Sequence, residues 1–178
     1  MSQVTNKAYW VDDAYPSRRM DVDGRTQAYR EAGDRETPLM MLLHGIGSGS
    51  GSWGYLMDHF KDRYRLIAWD APGYNISTPL PEDKPGASGY ARALGRFLDT
   101  MGARPTVMIG HSLGAMVAGA YAAEVNPDVP ALILGDPANG YGEAAPEIRE
   151  QKLQHRLEMV RDLGPEGMAE MRSGNLLS

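Results

Sequence analysis

One serine stands between two glycines where an apolar run meets an uncharged one. In VMIGHSLGAMVAG, residues 107–119, the pentapeptide Gly110, His111, Ser112, Leu113 and Gly114 separates two apolar segments. The residues before it, TVMIG at 106–110, form a short apolar run of the kind expected for a buried strand. From Ser112 to Val125 the one charged residue is Glu124, so the pattern predicts a helix buried on nearly all sides, stopped by Asn126-Pro127. A chain that passes from strand to helix with no linker must bend sharply at the serine. Side chains at the flanking positions would clash in such a bend, which accounts for both glycines. The bend lifts the hydroxyl at the carboxyl edge of a sheet and turns the free N–H groups of the first helical turn toward it.

The rest of the chain supplies the sheet. RRMDV and RTQAYREA flank Asp23-Gly24, a strong hairpin signal, over residues 18–32. PLMMLLHG (38–45), YRLIAWD (64–70) and ALILGD (131–136) read as further strands. Ser52 is placed to cap a helix whose apolar residues are Trp53, Leu56, Met57 and Phe60. Ala91, Leu94, Leu98 and Met101 mark another helix that ends at Gly102. Leu153, Leu157, Val160 and Leu163 share one face of a third, and PEGMAEM opens a short last one with proline in its first turn. The order is hairpin, then β-α-β-α-β-α-β, then a helical segment. It predicts an α/β chain with a mostly parallel sheet of about six strands, helices on both faces.

Composition narrows the function classes. With 42% apolar and 23% charged residues the chain is of the globular type. A net charge of −5 gives no electrostatic reason to expect nucleic acid or an anionic membrane as partner. There is no cysteine, so disulfides, thiolate nucleophiles and zinc ribbons are excluded. The opening MSQVTNKAYWVDD lacks the apolar stretch of a secretory signal, and no run approaches the ~18 residues that span a bilayer. The cytoplasm is the expected location. No set of metal ligands is visible, and the 11 methionines read as core filling.

A serine poised to attack a carbonyl needs an oxyanion site, usually two backbone N–H groups. Leu113, just after the serine, is one candidate donor. Ile46, in His44-Gly45-Ile46-Gly47 after the third strand, is the other, and glycines there allow the backbone close to a substrate. His44 reads as a hydrogen-bonder that shapes this loop together with Gly45 and Gly47. Gly110, His111 and Gly114 shape the bend. LLHGIG, WDAPGYNIS and IGHSLGA, in that order and spacing after an Asp-Gly hairpin, make the chain resemble the α/β-hydrolase family over about residues 18–140. Asn75 stands where many members have glycine. The resemblance implies an α/β-hydrolase fold with an antiparallel second strand, a serine nucleophile and no cofactor. It divides the chain into the N-terminal part of the core, 1–140, and the beginning of a helical lid, 141–178. LILGDPANGYG and RLEMVRDLGPEGMAEM are loosely similar to the lid entry of enol-lactonase-like members. Family members that open epoxides or remove halides carry aspartate at the bend, so serine points to acyl chemistry on a small ester, lactone, thioester or diketone.

The serine also needs a base, and the family order is serine, acid, histidine. Only His155 follows Ser112, and it lies in a charged helical pattern rather than a loop after a late strand. Asp136, ending the strand after the nucleophile helix, is the candidate acid, though it could equally start the DPANG turn. The expectation is therefore an N-terminal portion of a longer hydrolase, with the histidine outside this sequence. The apolar strand at 131–136 would be left at a sheet edge, to be covered by a C-terminal fragment, a second chain or another copy. Two other readings compete. One is a non-catalytic binding relative. The other is a nicotinamide-binding domain, since Gly49-Ser50-Gly51-Ser52-Trp53-Gly54 matches G-x-G-x-x-G and Asp70 ends the next strand. In that motif, however, the first glycine leaves the strand directly, whereas His44 to Ser48 intervene here.

Overall fold

The computed structural model describes residues 10–138 and 140–176, in two compact units, Met1–Ala138 and Asn139–Ser178. In the first unit a short helix α1 (Trp10–Ala14) precedes strands β1 (Arg18–Val22), β2 (Arg25–Ala32) and β3 (Leu39–Leu43). A 3₁₀ turn (Ser50–Trp53) leads into α2 (Gly54–Phe60), followed by β4 (Arg65–Asp70), α3 (Gly86–Met101), β5 (Pro105–His111), α4 (Leu113–Glu124) and β6 (Ala131–Gly135). The strands form one sheet in the order β1-β2-β4-β3-β5-β6. β2 runs antiparallel to β1 and β4, while β3 pairs in parallel with β4 and β5, and β5 with β6.

Period-two alternation decides which side chain faces which layer. Met41 and Leu43 of β3, Ile67 and Trp69 of β4 and Met108 of β5 join α3 and α4 in one core. Met40, Leu42, Leu66 and Ala68 turn the other way, onto Met57 of α2 and Val11 of α1. Both faces of the central strands are thus dry, as their unbroken apolar runs require. Phe97 and Trp69 are fully buried, and each contributes about 1.5–3 kcal/mol of burial free energy. The hairpin turns on Asp23 and Gly24, both at positive φ (55° and 75°), the mirror-image turn that matches strand twist. Gly102, at φ 64°, ends α3, and the N–H of Ala103 returns to Leu98 O at 2.9 Å.

Three local expectations change. Ser52 does not cap α2. It lies inside the 3₁₀ turn, where its hydroxyl donates to Gly49 O at 2.7 Å, and Trp53 takes the cap position. The apolar helix α4 is buried along Gly114, Ala115, Val117, Ala118 and Tyr121, but Met116, Gly119 and Ala120 are only half-buried and Ala123 is exposed. Its uniform apolarity therefore does not mark burial on all sides. The helix α1 has no counterpart in the sequence reading, because five residues are too few to show a helical period.

In the second unit α5 (Pro146–Leu176) is interrupted at Gly164 (φ 60°, ψ −177°), the residue before the proline that opens the last helical stretch. Leu153, Leu157 and Val160 lie exposed along it. No helix among the described residues is long and apolar enough to cross a membrane.

β6 carries the composition of a central strand at an edge position. Leu132, Ile133 and Leu134 are 38%, 52% and 44% exposed, so apolar side chains are open on both faces of the strand. The isolated 178-residue chain is expected to self-associate, eluting well above 19.4 kDa in size exclusion with light scattering. Ile133→Lys should shift it toward the monomer.

Candidate active site

The bend between β5 and α4 is built by exclusion. A Cβ on Gly110 would fall 2.2 Å from the carbonyl oxygen of Gly114. A Cβ on Gly114 would fall 2.1 Å from Leu43 O and 2.8 Å from His44 O. The first turn of α4 is therefore pressed onto the end of β3, an approach open to glycine alone. Between the two, Ser112 adopts φ 53° and ψ −113°, a region that costs a non-glycine residue on the order of 1–3 kcal/mol. Its N–H donates to Gly135 O at 2.9 Å, which fastens the bend to β6. Its hydroxyl makes no capping bond to the helix, and the side chain is half-buried. Leu113 opens α4, so its N–H has no acceptor within the helix.

The loop after β3 comes up against this bend. A Cβ on Gly45 would lie 3.0 Å from His111 Nδ1 and 3.2 Å from Ser112 Cβ. Ser48 N–H donates to Gly45 O at 3.3 Å, closing a turn with Ile46 and Gly47 at its centre. Gly47 takes φ 70°, which the third position of such a turn requires. Ile46 is at the tip, 45% exposed.

His44 anchors the near end of that loop. Ala71 N–H donates to its Nε2 at 3.2 Å, so the proton is on Nδ1, which donates to Gly45 O at 2.8 Å. With its lone pair engaged, His44 is not available as a base. Burial lowers its pKa from 6.5, against the opposing pull of the Gly45 carbonyl and of Asp70. Asp70, also buried, anchors the far end. Its Oδ1 accepts from Ser50 N–H (2.7 Å) and from Asn75 Nδ2 (2.6 Å), and its Oδ2 accepts from Ser50 Oγ (2.9 Å). Arg30, from β2, donates through Nε to the same Ser50 hydroxyl at 3.2 Å. The carboxylate that a ribose would need is thus committed inside the protein, which removes the dinucleotide reading. Sequence reasoning singled out Asp70 only for that reading. The available signal was a carboxylate at the end of an otherwise apolar strand.

The remaining candidates are placed as follows. His111 is exposed at the end of β5 beside Gly45. Asp136, exposed at φ 45°, immediately follows the Gly135 carbonyl that holds Ser112. No histidine is bonded to Ser112 or to Asp136 among the described residues. His59 is exposed on α2 with its ring against Phe60, and His155 is exposed on α5. A void of about 10 Å³ between Leu43, Trp69, Leu113 and Val117 has room for barely one water. A larger hollow, about 360 Å³, lies at the opposite edge of the sheet among Arg35, Arg65 and Arg104, near where β3, β4 and β5 begin. No group of three or more His, Cys, Asp or Glu side chains among the described residues is placed to hold a metal.

The strand–Ser112–helix bend, with the Gly45 loop against it, is the arrangement to which known proteins can be compared. The family described as alpha/beta hydrolase fold matches residues 38–170. The chain belongs to that family. Over 105 residues it is 36% identical to 2-(acetamidomethylene)succinate hydrolase from Mesorhizobium japonicum, covering 59% of this chain and 37% of the relative. Over 125 residues it is 34% identical to the dihydrolipoyllysine-residue acetyltransferase component of an acetoin cleaving system from Cupriavidus necator, covering 70% and 32%. The crystal structure of a putative lipase from Acinetobacter baumannii superposes over 93% of this chain and 56% of its own at a TM-score of 0.74, with 21% identity, which speaks for the fold alone. The chain spans about a third of the length of these two curated relatives.

Two outcomes follow from this geometry. Gly114→Ala has no flexible neighbour to displace, only the β3 backbone, and is expected to cost at least the ~1–3 kcal/mol of an overpacked core, read from denaturant midpoints. For His44 the folded pKa lies below the unfolded one, so the unfolded state binds the proton more readily. Stability should be level above about pH 6.5 and fall as pH drops through the depressed folded value. His44→Asn should flatten that slope in urea titrations between pH 8 and 5.

Proposed function

We propose that this chain is the N-terminal body of a serine hydrolase acting on an ester, lactone or similar acyl bond of a small molecule. Ser112 Oγ attacks the carbonyl carbon as its proton passes to a base. The carbonyl oxygen takes up the electron pair and is held by the N–H groups of Leu113 and Ile46. Collapse expels the alcohol or enol, protonated by the same base, and leaves an acyl-enzyme that water hydrolyses. The observation that carries this reading is Ser112 itself, at positive φ with no capping bond, beside the loop of Gly45. Membership of the alpha/beta hydrolase fold family supports hydrolysis broadly, and one relative, named as a hydrolase of 2-(acetamidomethylene)succinate, supports a small acyl compound.

The base in this reading is a histidine contributed by polypeptide matching the part of the relatives that this chain does not span. Asp136 is the acid candidate within the chain, because it follows the carbonyl that fixes Ser112. The same polypeptide, or a second copy, would cover β6. Residues 141–178 are read as the beginning of a lid, on the sequence resemblance and on the open apolar stripe of α5. A second reading, a binding relative without catalysis, is favoured by the lack of any described histidine bonded to Ser112.

The full-length protein should be labelled on Ser112 by a fluorophosphonate and should turn over a short-chain p-nitrophenyl ester. Ser112→Ala should abolish labelling and lower turnover by at least ~10³-fold. Equal turnover in the two proteins would remove Ser112 from the mechanism. Absence of both labelling and turnover in the wild type would favour the binding relative.

A further inference from the structure

Asn75 occupies a backbone conformation that suits glycine, φ 48°, inside the second of two successive turns, closed by Tyr74 N–H on Ala71 O and by Ser77 N–H on Tyr74 O. Asparagine tolerates that region better than most residues but not freely. What its side chain does there is specific. Nδ2 donates at 2.6 Å to Asp70 Oδ1, the oxygen that also receives Ser50 N–H. The amide lies over Gly49, where a Cβ would come within 2.6 Å of it. The loop 71–78 that carries Asn75 is itself fixed. Ser77 Oγ donates to Asp70 O at 2.7 Å and accepts from Ala28 N–H at 2.9 Å, and Thr78 N–H donates to Thr26 O at 2.8 Å. Asn75 is thus a rigid donor aimed at the carboxylate that ends the Gly45–Ser50 loop.

We infer that Asn75 is a positioning residue for the oxyanion loop: it locks the Asp70 carboxylate in the orientation that grips Ser50, and so holds the turn that presents Ile46 N–H beside Ser112. The inference rests on the serine-hydrolase reading above. The path is short. Asn75 fixes Asp70 Oδ1, Asp70 fixes Ser50, and two residues before Ser50 lies the closed turn Gly45–Ser48, with His44 bound at its start. Loosening the far anchor leaves a loop held at one end, and an oxyanion donor displaced from its position weakens the transition state more than substrate binding.

The test compares Asn75→Gly and Asn75→Asp in the full-length protein. Glycine keeps the positive φ and removes the donor. Aspartate is isosteric but places a second carboxylate against Asp70. The other charged or titratable groups facing this pair are Arg30, bonded to Ser50 and paired with Asp12 of α1, and His44. Asn75→Gly is expected to lower kcat on a p-nitrophenyl ester roughly tenfold with KM within about twofold. Asn75→Asp should lose more at pH 8. It should recover relative to wild type as pH falls, because the protonated pair restores an O–H donor to Asp70. A variant damaged only in folding would show no such acid recovery. Wild-type labelling by the fluorophosphonate, with both variants labelled and turning over at the wild-type rate, would overturn the inference and leave the hydrolase reading intact. Parallel loss of kcat without acid recovery in Asn75→Asp would also overturn it. A wild type that neither labels nor turns over would overturn the hydrolase reading, and this inference with it.

Discussion

The contact of Gly114 with the carbonyls of Leu43 and His44 is the constraint on which the rest of this structure depends. It brings the start of α4 down onto the end of β3 with no side chain between them. That closeness sets the strain at Ser112, because β5 has no spare residue with which to make the turn. It also puts Gly45 within van der Waals reach of the serine, since the chain leaving β3 has no other way past the helix. The Ser112 bend and the Gly45 loop are therefore not two independently placed pieces. They are the two partners of one backbone contact.

Polar groups around that contact are buried in compensated sets. Asp70 and Arg30 share the Ser50 hydroxyl, so a buried anion and a buried cation are joined through a group that can both donate and accept. Glu31, on the neighbouring position of β2, loses water to burial, yet Arg65 and Arg35 bond to it and hold its carboxyl below the usual range, with Arg18 also paired. Since the opposing costs are large, removing one partner from either set is more damaging than the worth of any single bond.

Much of the fold was legible because its signals are local. Asp23-Gly24 determines a mirror-image turn through two residues, and Met40 to Leu43 read as a central strand because every position is apolar. The glycines at 110 and 114 belong to the same class: the exclusion that demands them acts within five residues. What could not be read acts over distance or too briefly. The clamp on Ser50 joins residues 20 apart through Asp70, with Arg30 reaching it from β2. Ser52 looked like a helix cap because its type was right, but the chain makes a 3₁₀ turn first and spends the hydroxyl on it. α4 looked buried all round because composition reports only what a surface is made of, not what lies against it.

Ala71 and Asp70 are neighbours in sequence, and they hold opposite ends of the Gly45–Ser50 segment, one through an amide proton and the other through a carboxylate. The segment is tied like a buckle to a single peptide unit at the tip of β4. Both ties lead to that unit, so a displacement of the β4 tip acts on the two ends of the segment together. Deformation of the sheet at that point is therefore one motion expected to shift the segment against Ser112.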